Sequence, residues 1–178
     1  PLDVATFPLY GTVALTGEAA PKVELKSAMS ILKFSVMGDA TITKATIETV
    51  GGEAINGVFN MSASGITGAV SNSGKLTEIT LENPLRLTAN PTDLYIPVPP
   101  MTYSRGFYLK LYENSSKYMK VVFLKNSQTL AENSVTSFSF IYSAGFQAEV
   151  QPGEDFNSAI VGDLLPDDFP YGKYGVTG

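Results

Sequence analysis

Phe107-Tyr108-Leu109-Lys110-Leu111-Tyr112-Glu113-Asn114-Ser115-Ser116-Lys117-Tyr118-Met119-Lys120-Val121-Val122-Phe123 carries the clearest structural pattern in the sequence. Apolar and polar residues alternate on both sides of a polar centre, the period-2 pattern of two half-buried strands joined in a hairpin. If Phe107, Leu109 and Leu111 face a core, the partner strand presents Met119, Val121 and Phe123. A five-residue loop at 113–117 then sets Leu111 opposite Met119, because a one-residue slip would turn every side chain to the wrong face. The same register sets Tyr112 opposite Tyr118 and Lys110 opposite Lys120 on the outer face. A directly opposed lysine pair costs a few tenths to about 1 kcal/mol unless an anion lies between the ammonium groups.

Outward from this hairpin, the chain repeats the same grammar. Short runs rich in Val, Ile, Leu, Phe, Tyr and Thr fall at 9–15, 22–37, 41–50, 53–60, 66–70, 76–82, 85–88, 93–98 and 135–142, separated by Gly, Asn, Pro and Ser clusters. That punctuation predicts an all-β sandwich of two antiparallel sheets. The segment from Lys26 to Met37 reads as strand because Ala28, Ser30, Leu32, Phe34 and Val36 alternate. Gly51-Gly52 predicts a two-residue hairpin, and Ser71-Asn72-Ser73-Gly74 a longer hairpin loop. Pro97, Pro99 and Pro100 remove ladder donors, so the strand holding Tyr95 and Ile96 ends there or lies at an edge.

Composition narrows function by exclusion. The chain has 178 residues, 44% of them hydrophobic, and no cysteine, histidine or tryptophan. A chain of this size buries enough apolar surface to fold without disulfide or metal staples. Thiolate nucleophiles, imidazole bases and the usual zinc ligand sets are absent. The expectation is no enzyme and no cofactor. A hydrolase built on two converging carboxylates is the surviving catalytic alternative, and no pair of residues stands out for it. Asp163, Asp167 and Asp168 form an acidic cluster, but without the alternating spacing of a calcium loop. Ser104-Arg105-Gly106 and the glycines from Gly65 to Gly74 read as turns.

Charge divides the chain unevenly. The net charge is −5, and Glu149, Glu154, Asp155, Asp163, Asp167 and Asp168 against Lys173 place all of it after residue 148. Residues 1–148 are therefore read as one neutral β-domain, and 149–178 as an acidic Gly/Pro-rich tail or a linker to a further domain. A neutral body whose only arginines are Arg86 and Arg105 lacks the basic stripe that nucleic acids require. No apolar run reaches the length of a membrane span. Pro1 in place of Met predicts a processed chain.

Two surfaces stand out as candidate sites. Tyr103, Tyr108, Lys110, Tyr112, Tyr118 and Lys120 form either a glycan-binding platform of rings and cations or an ordinary solvated sheet face. Ile160, Val161, Leu164 and Leu165 form an isolated apolar stretch in the acidic tail. It reads as a short element packed on the body, a connector, or an arm that docks on another molecule.

Three segments carry a family resemblance. Phe7-Pro8-Leu9-Tyr10-Gly11, the run from Val23 through Ala28 to Val36, and Leu94-Tyr95-Ile96-Pro97-Val98-Pro99-Pro100-Met101-Thr102-Tyr103 followed by Phe107 to Leu111 resemble the N-terminal domain of the Bacteroidetes fimbrillin family. The resemblance covers about residues 1–148. It implies a transthyretin-like Greek-key β-sandwich and export as a lipoprotein to the cell surface or outer membrane. It also implies assembly into fimbriae by strand donation between subunits, with Phe7, Leu9, Tyr10, Ile160, Val161, Leu164 and Leu165 as the strand-exchange residues. Its implied partners are other pilus subunits or further copies of the chain, and host or bacterial glycan or protein receptors. Membrane contact is expected only through a lipid anchor. The chain departs from the family in having no lipobox cysteine, no arginine near its start and no second sandwich domain. A carbohydrate-binding module of a surface lipoprotein is the alternative.

Overall fold

The computed structural model describes residues 8–14, 22–153 and 160–164. Those residues form strands and turns with no helix, so the molecule is all-β. The larger layer contains β4 (Thr41–Thr49), β7 (Leu76–Arg86), β10 (Phe107–Asn114), β11 (Lys117–Phe123), β14 (Phe146–Val150) and β15 (Ile160–Leu164). Its strand order is β15-β14-β11-β10-β4-β7. The smaller layer contains β3 (Ser30–Met37), β8 (Thr92–Val98) and β13 (Val135–Ile141), in the order β13-β3-β8.

Each layer contains one parallel pair, β11 with β14 and β3 with β13. The expectation of two purely antiparallel sheets is corrected on this point. In both cases the chain returns to the sheet by crossing between layers instead of turning back on itself, and only a crossover permits parallel neighbours.

Alternation along each strand fills the space between layers. Leu32, Phe34 and Val36 of β3 meet Leu109, Leu111, Met119, Val121 and Phe123 of the hairpin, all fully buried. The aromatic rings form a chain across the interface: Phe34 packs edge-on to Phe123 at 5.0 Å and stacks on Phe138 at 5.2 Å. Phe123 also stacks on Phe107 at 5.0 Å. Ring pairs of this kind contribute about 0.5–1.5 kcal/mol each beyond their buried area.

Several sequence expectations change in detail. The single strand expected over 22–37 breaks at Ala28-Met29 into β2 (Lys26–Ser27) and β3. Gly51-Gly52 turns the chain, with Gly52 at φ 89°, but does not close a hairpin. Both edges of β4 are already taken by β10 and β7, so the following strand β5 (Asn56–Ser62) pairs instead with β6 (Gly65–Gly74). The segment expected as a loop at 71–74 therefore lies inside β6, and Ala63-Ser64 makes the turn. The runs at 76–82 and 85–88 are joined in the irregular strand β7, whose register shifts opposite Thr43.

Short pairings frame the body. β1 (Leu9–Tyr10) pairs with β2, and β9 (Thr102–Tyr103) pairs with β12 (Gln128–Thr129). β14 runs across the expected boundary after residue 148, and β15 pairs with it in antiparallel register.

Candidate functional site

The outer face of the larger sheet carries most of the expected platform. The register sets Tyr112 opposite Tyr118, Lys110 opposite Lys120 and Leu111 opposite Met119, as the alternation predicts. The turn is tighter than expected: Asn114 pairs with Lys117 after a bulge, leaving Ser115-Ser116 at its tip. The Asn114 side-chain oxygen accepts from both the backbone N–H and the hydroxyl of Ser116, closing the turn.

The lysines on this face lean over the tyrosines diagonally. Lys120 Nζ lies 3.9 Å from the centre of the Tyr108 ring and Lys110 Nζ 5.0 Å from that of Tyr118. Lys44 Nζ, contributed by β4, lies 4.8 Å from the Tyr112 ring and also bonds Glu78 at 3.2 Å. An ammonium group over a ring face gains about 0.5–1 kcal/mol at exposed sites, which offsets the cost of opposing Lys110 and Lys120. Tyr118 is only 6% exposed and its ring packs 5.0 Å from that of Tyr112. Each of the three rings is thus approached by a lysine ammonium group. Lys44 is the member of this face that sequence reasoning misses, since only the β4–β10 pairing brings it to Tyr112.

Tyr103 does not belong to the platform. It is fully buried, packs 4.4 Å from Phe107 and donates its hydroxyl to the Pro99 carbonyl at 2.7 Å. Burial, with the Glu53 charge adding to it, raises the Tyr103 hydroxyl well above its ordinary pKa. The pairing of β9 with β12 pulls Tyr103 inward; the sequence shows an exposed-looking turn because β12 is too short to be recognised.

The strand-exchange residues divide into two groups. Leu9 and Tyr10 form β1 at the periphery, with Leu9 49% exposed. Tyr10 donates its hydroxyl to Glu132 at 2.5 Å, and Ala28 N–H donates to the Pro8 carbonyl at 2.9 Å. Ile160, Val161 and Leu164 lie on β15, whose backbone extends the larger sheet beside β14. Phe7 and Leu165 lie outside the described residues, as do Asp167 and Asp168 of the acidic cluster. Among the described residues no group of three acidic side chains gathers in metal-binding geometry.

A third feature emerges only from the layering. β13 touches β14, and Phe34 of β3 packs on Phe123 of β11, so the smaller sheet covers one end of the larger. The inward residues of β4, Ile42, Ala45 and Ile47, are fully buried. Ala40, Ile55, Leu87 and Tyr103 also join the core, while Ile79, Leu81 and Leu85 of β7 and Leu94 of β8 remain half-buried at its margin. The outer edge of β8 bears no strand among the described residues. Ile31 N–H bonds Ser134 of the β13 side, so its β8 partner Pro97, with Tyr95 and Asp93, directs its backbone to that open edge. As the prolines predict, β8 is an edge strand that stops at Val98.

Asp93 is tied down on this edge. Lys33 Nζ bonds it at 3.0 Å, Ser35 donates at 2.6 Å and Tyr95 at 3.2 Å. Desolvation pushes its carboxyl pKa up, but these donors outweigh it and hold the group below its usual value. Glu53 follows the same pattern: desolvation opposes the charge, and the Ser104 hydroxyl at 2.6 Å and N–H at 2.7 Å overcome it.

The class defined by this geometry is an all-β sandwich with a wide and a narrow layer. No family model matches the chain, and no curated protein matches it. Among solved structures it is similar to a putative cell adhesion protein from Bacteroides ovatus, with 12% sequence identity and a TM-score of 0.43. The match covers 80% of this chain and 48% of the other, so the chain spans about half the length of that protein.

Proposed function

We propose that the chain is a structural subunit of a cell-surface adhesion or pilus assembly, joined to its neighbours by β-strand donation. The observation that carries this reading is the outer edge of β8, which no described strand pairs, with Leu94 half-buried at the margin of the core. An extended strand laid along that edge gains backbone bonds from β8 and adds apolar cover to Leu94, the two contributions that strand addition requires. Pro97 and Asp93 make the edge selective: a strand without apolar side chains gains little there. The peripheral ribbon of β1 and β2, with Leu9, Val13, Val23 and Leu25 all exposed, supplies a donor of suitable chemistry. The resemblance to fimbrillins supports a cell-surface location for such a subunit, and host or bacterial glycan or protein receptors are its proposed adhesive partners.

The test compares assembly of the full chain with that of a chain lacking residues 1–14, which removes Leu9 and Val13 of the donor. Size-exclusion chromatography is expected to show species larger than a dimer for the full chain, and their loss in the truncated chain and in Leu94→Lys. A full chain that forms nothing larger than a dimer at high concentration, or a truncated chain that assembles as well as the full one, overturns the proposal.

A further inference from the structure

The hairpin of β5 and β6 is unlike every other part of the sheet structure. From Ala54 to Gly74 the sequence contains no charged residue and no proline. The two strands form a separate two-stranded sheet, and neither pairs with a third strand among the described residues. Val58 and Met61 of β5 are 52% and 51% exposed. Natural sheet edges are normally blunted by charges, prolines, bulges or a covering segment, because an open edge recruits other strands.

Three other described edges carry some protection, although Val135 and Ile141 of β13 are also exposed. β7 has Glu78, Glu82, Pro84 and Arg86 along its length. β8 has Asp93 and Pro97. On β13 the Ser137 carbonyl is covered by a bond from Gly153 N–H at 2.9 Å. Within the arm the protection is unequal. The pairs Asn56↔Gly74, Val58↔Ser71, Phe59↔Ala69, Asn60↔Gly68 and Met61↔Ile66 show that each register shift inserts its extra residue into β6. Bulges bend and twist β6 away from flat pairing. β5 remains continuous from Asn56 to Ser62.

We infer that β5 is a self-association edge, pairing antiparallel with β5 of a second copy across a two-fold axis near Phe59. Charge selects this occupant. The strand carries no sign by which a charged partner would be recognised, and two copies meet along it without opposing like charges. An isologous antiparallel pairing lets the same residues serve as both donor and acceptor, and it closes at two subunits. Two seven-residue strands bury little surface, so the dimer is expected to be weak and concentration-dependent. β5 belongs to a different sheet from β8, so this pairing links copies whether or not strand donation at β8 joins them.

The absence of native cysteine supplies a clean experiment. With the axis near Phe59, residues opposite each other have Cβ atoms about 5 Å apart, within disulfide reach. Phe59→Cys in the full chain is expected to give a disulfide dimer under mild oxidation, at least tenfold faster than the exposed-loop control Asn126→Cys. Sedimentation velocity of the Leu94→Lys chain is expected to show a reversible monomer–dimer equilibrium. Val58→Lys with Met61→Lys abolishes it without moving the melting temperature, because both side chains project into solvent. Equal cross-linking of both cysteine variants, a dimer that survives the double lysine change, or a strictly monomeric chain at high concentration each overturns the inference. Open-ended oligomers cross-linked at residue 59 overturn the two-fold arrangement.

Discussion

The sandwich body and the β5–β6 arm are built from the same strand-forming residue types, yet they satisfy their edges in opposite ways. In the body most apolar side chains are buried between the layers, and the edge strands β7 and β8 carry charges and prolines. In the arm, Val58 and Met61 face water and the edge of β5 carries no guard. Strand propensity alone therefore does not distinguish structural from interactive β-structure; the distribution of gatekeeping residues does.

Substitution separates the two regions most sharply. Phe34→Ala removes the ring that contacts Phe123, Phe138 and Phe140 and is expected to cost about 3–5 kcal/mol in chemical denaturation. Met61→Ser on the arm is expected to stay within about 0.5 kcal/mol of the parent. Similar losses at both sites would show that the arm is part of the body's cooperative core.

A smaller effect tests the buried Tyr103 of β9. Tyr103→Phe keeps the ring against Phe107 but leaves the Pro99 carbonyl without its donor. The expected loss is about 1–2 kcal/mol, read from the midpoint of urea unfolding. No change would mean that water replaces the hydroxyl.

Acid probes the guarded edge. Asp93 and Glu53 are held below their unfolded carboxyl values. Their contribution is present above the unfolded pKa, near 4, and disappears as pH falls through the lower folded values. Melting temperature is expected to drop on acidification below about pH 4, and to drop less in Asp93→Asn. An identical acid profile for that variant would remove Asp93 from the account.

The smallest effect concerns the outer face. Tyr108→Leu retains apolar cover but removes the ring beneath Lys120, with an expected loss of about 0.5–1 kcal/mol. A neutral result would make the lysine–tyrosine pairing incidental.

Local pattern was enough to read the hairpin from Phe107 to Phe123, including the opposition of Lys110 and Lys120, because alternation and turn length determine register between neighbours in sequence. It also marked β8 as an edge, since a proline's missing donor is visible without coordinates. What pairing alone decides was hidden. Tyr103 reads as an exposed turn residue until β12 pulls it inward, and Lys44 joins the tyrosine face only through β4. The Ser71–Gly74 segment resembles a loop in composition, yet it lies in a bulged strand.

The parallel pairing of β3 with β13 also governs the order in which the molecule matures. The neighbouring serines Ser30 and Ser134 meet although 104 residues separate them. Closing such a distant pairing is entropically slow, so Phe34 and its neighbours stay uncovered until nearly the whole domain has been synthesised. The smaller layer therefore cannot close before residues 135–141 arrive to pair with β3.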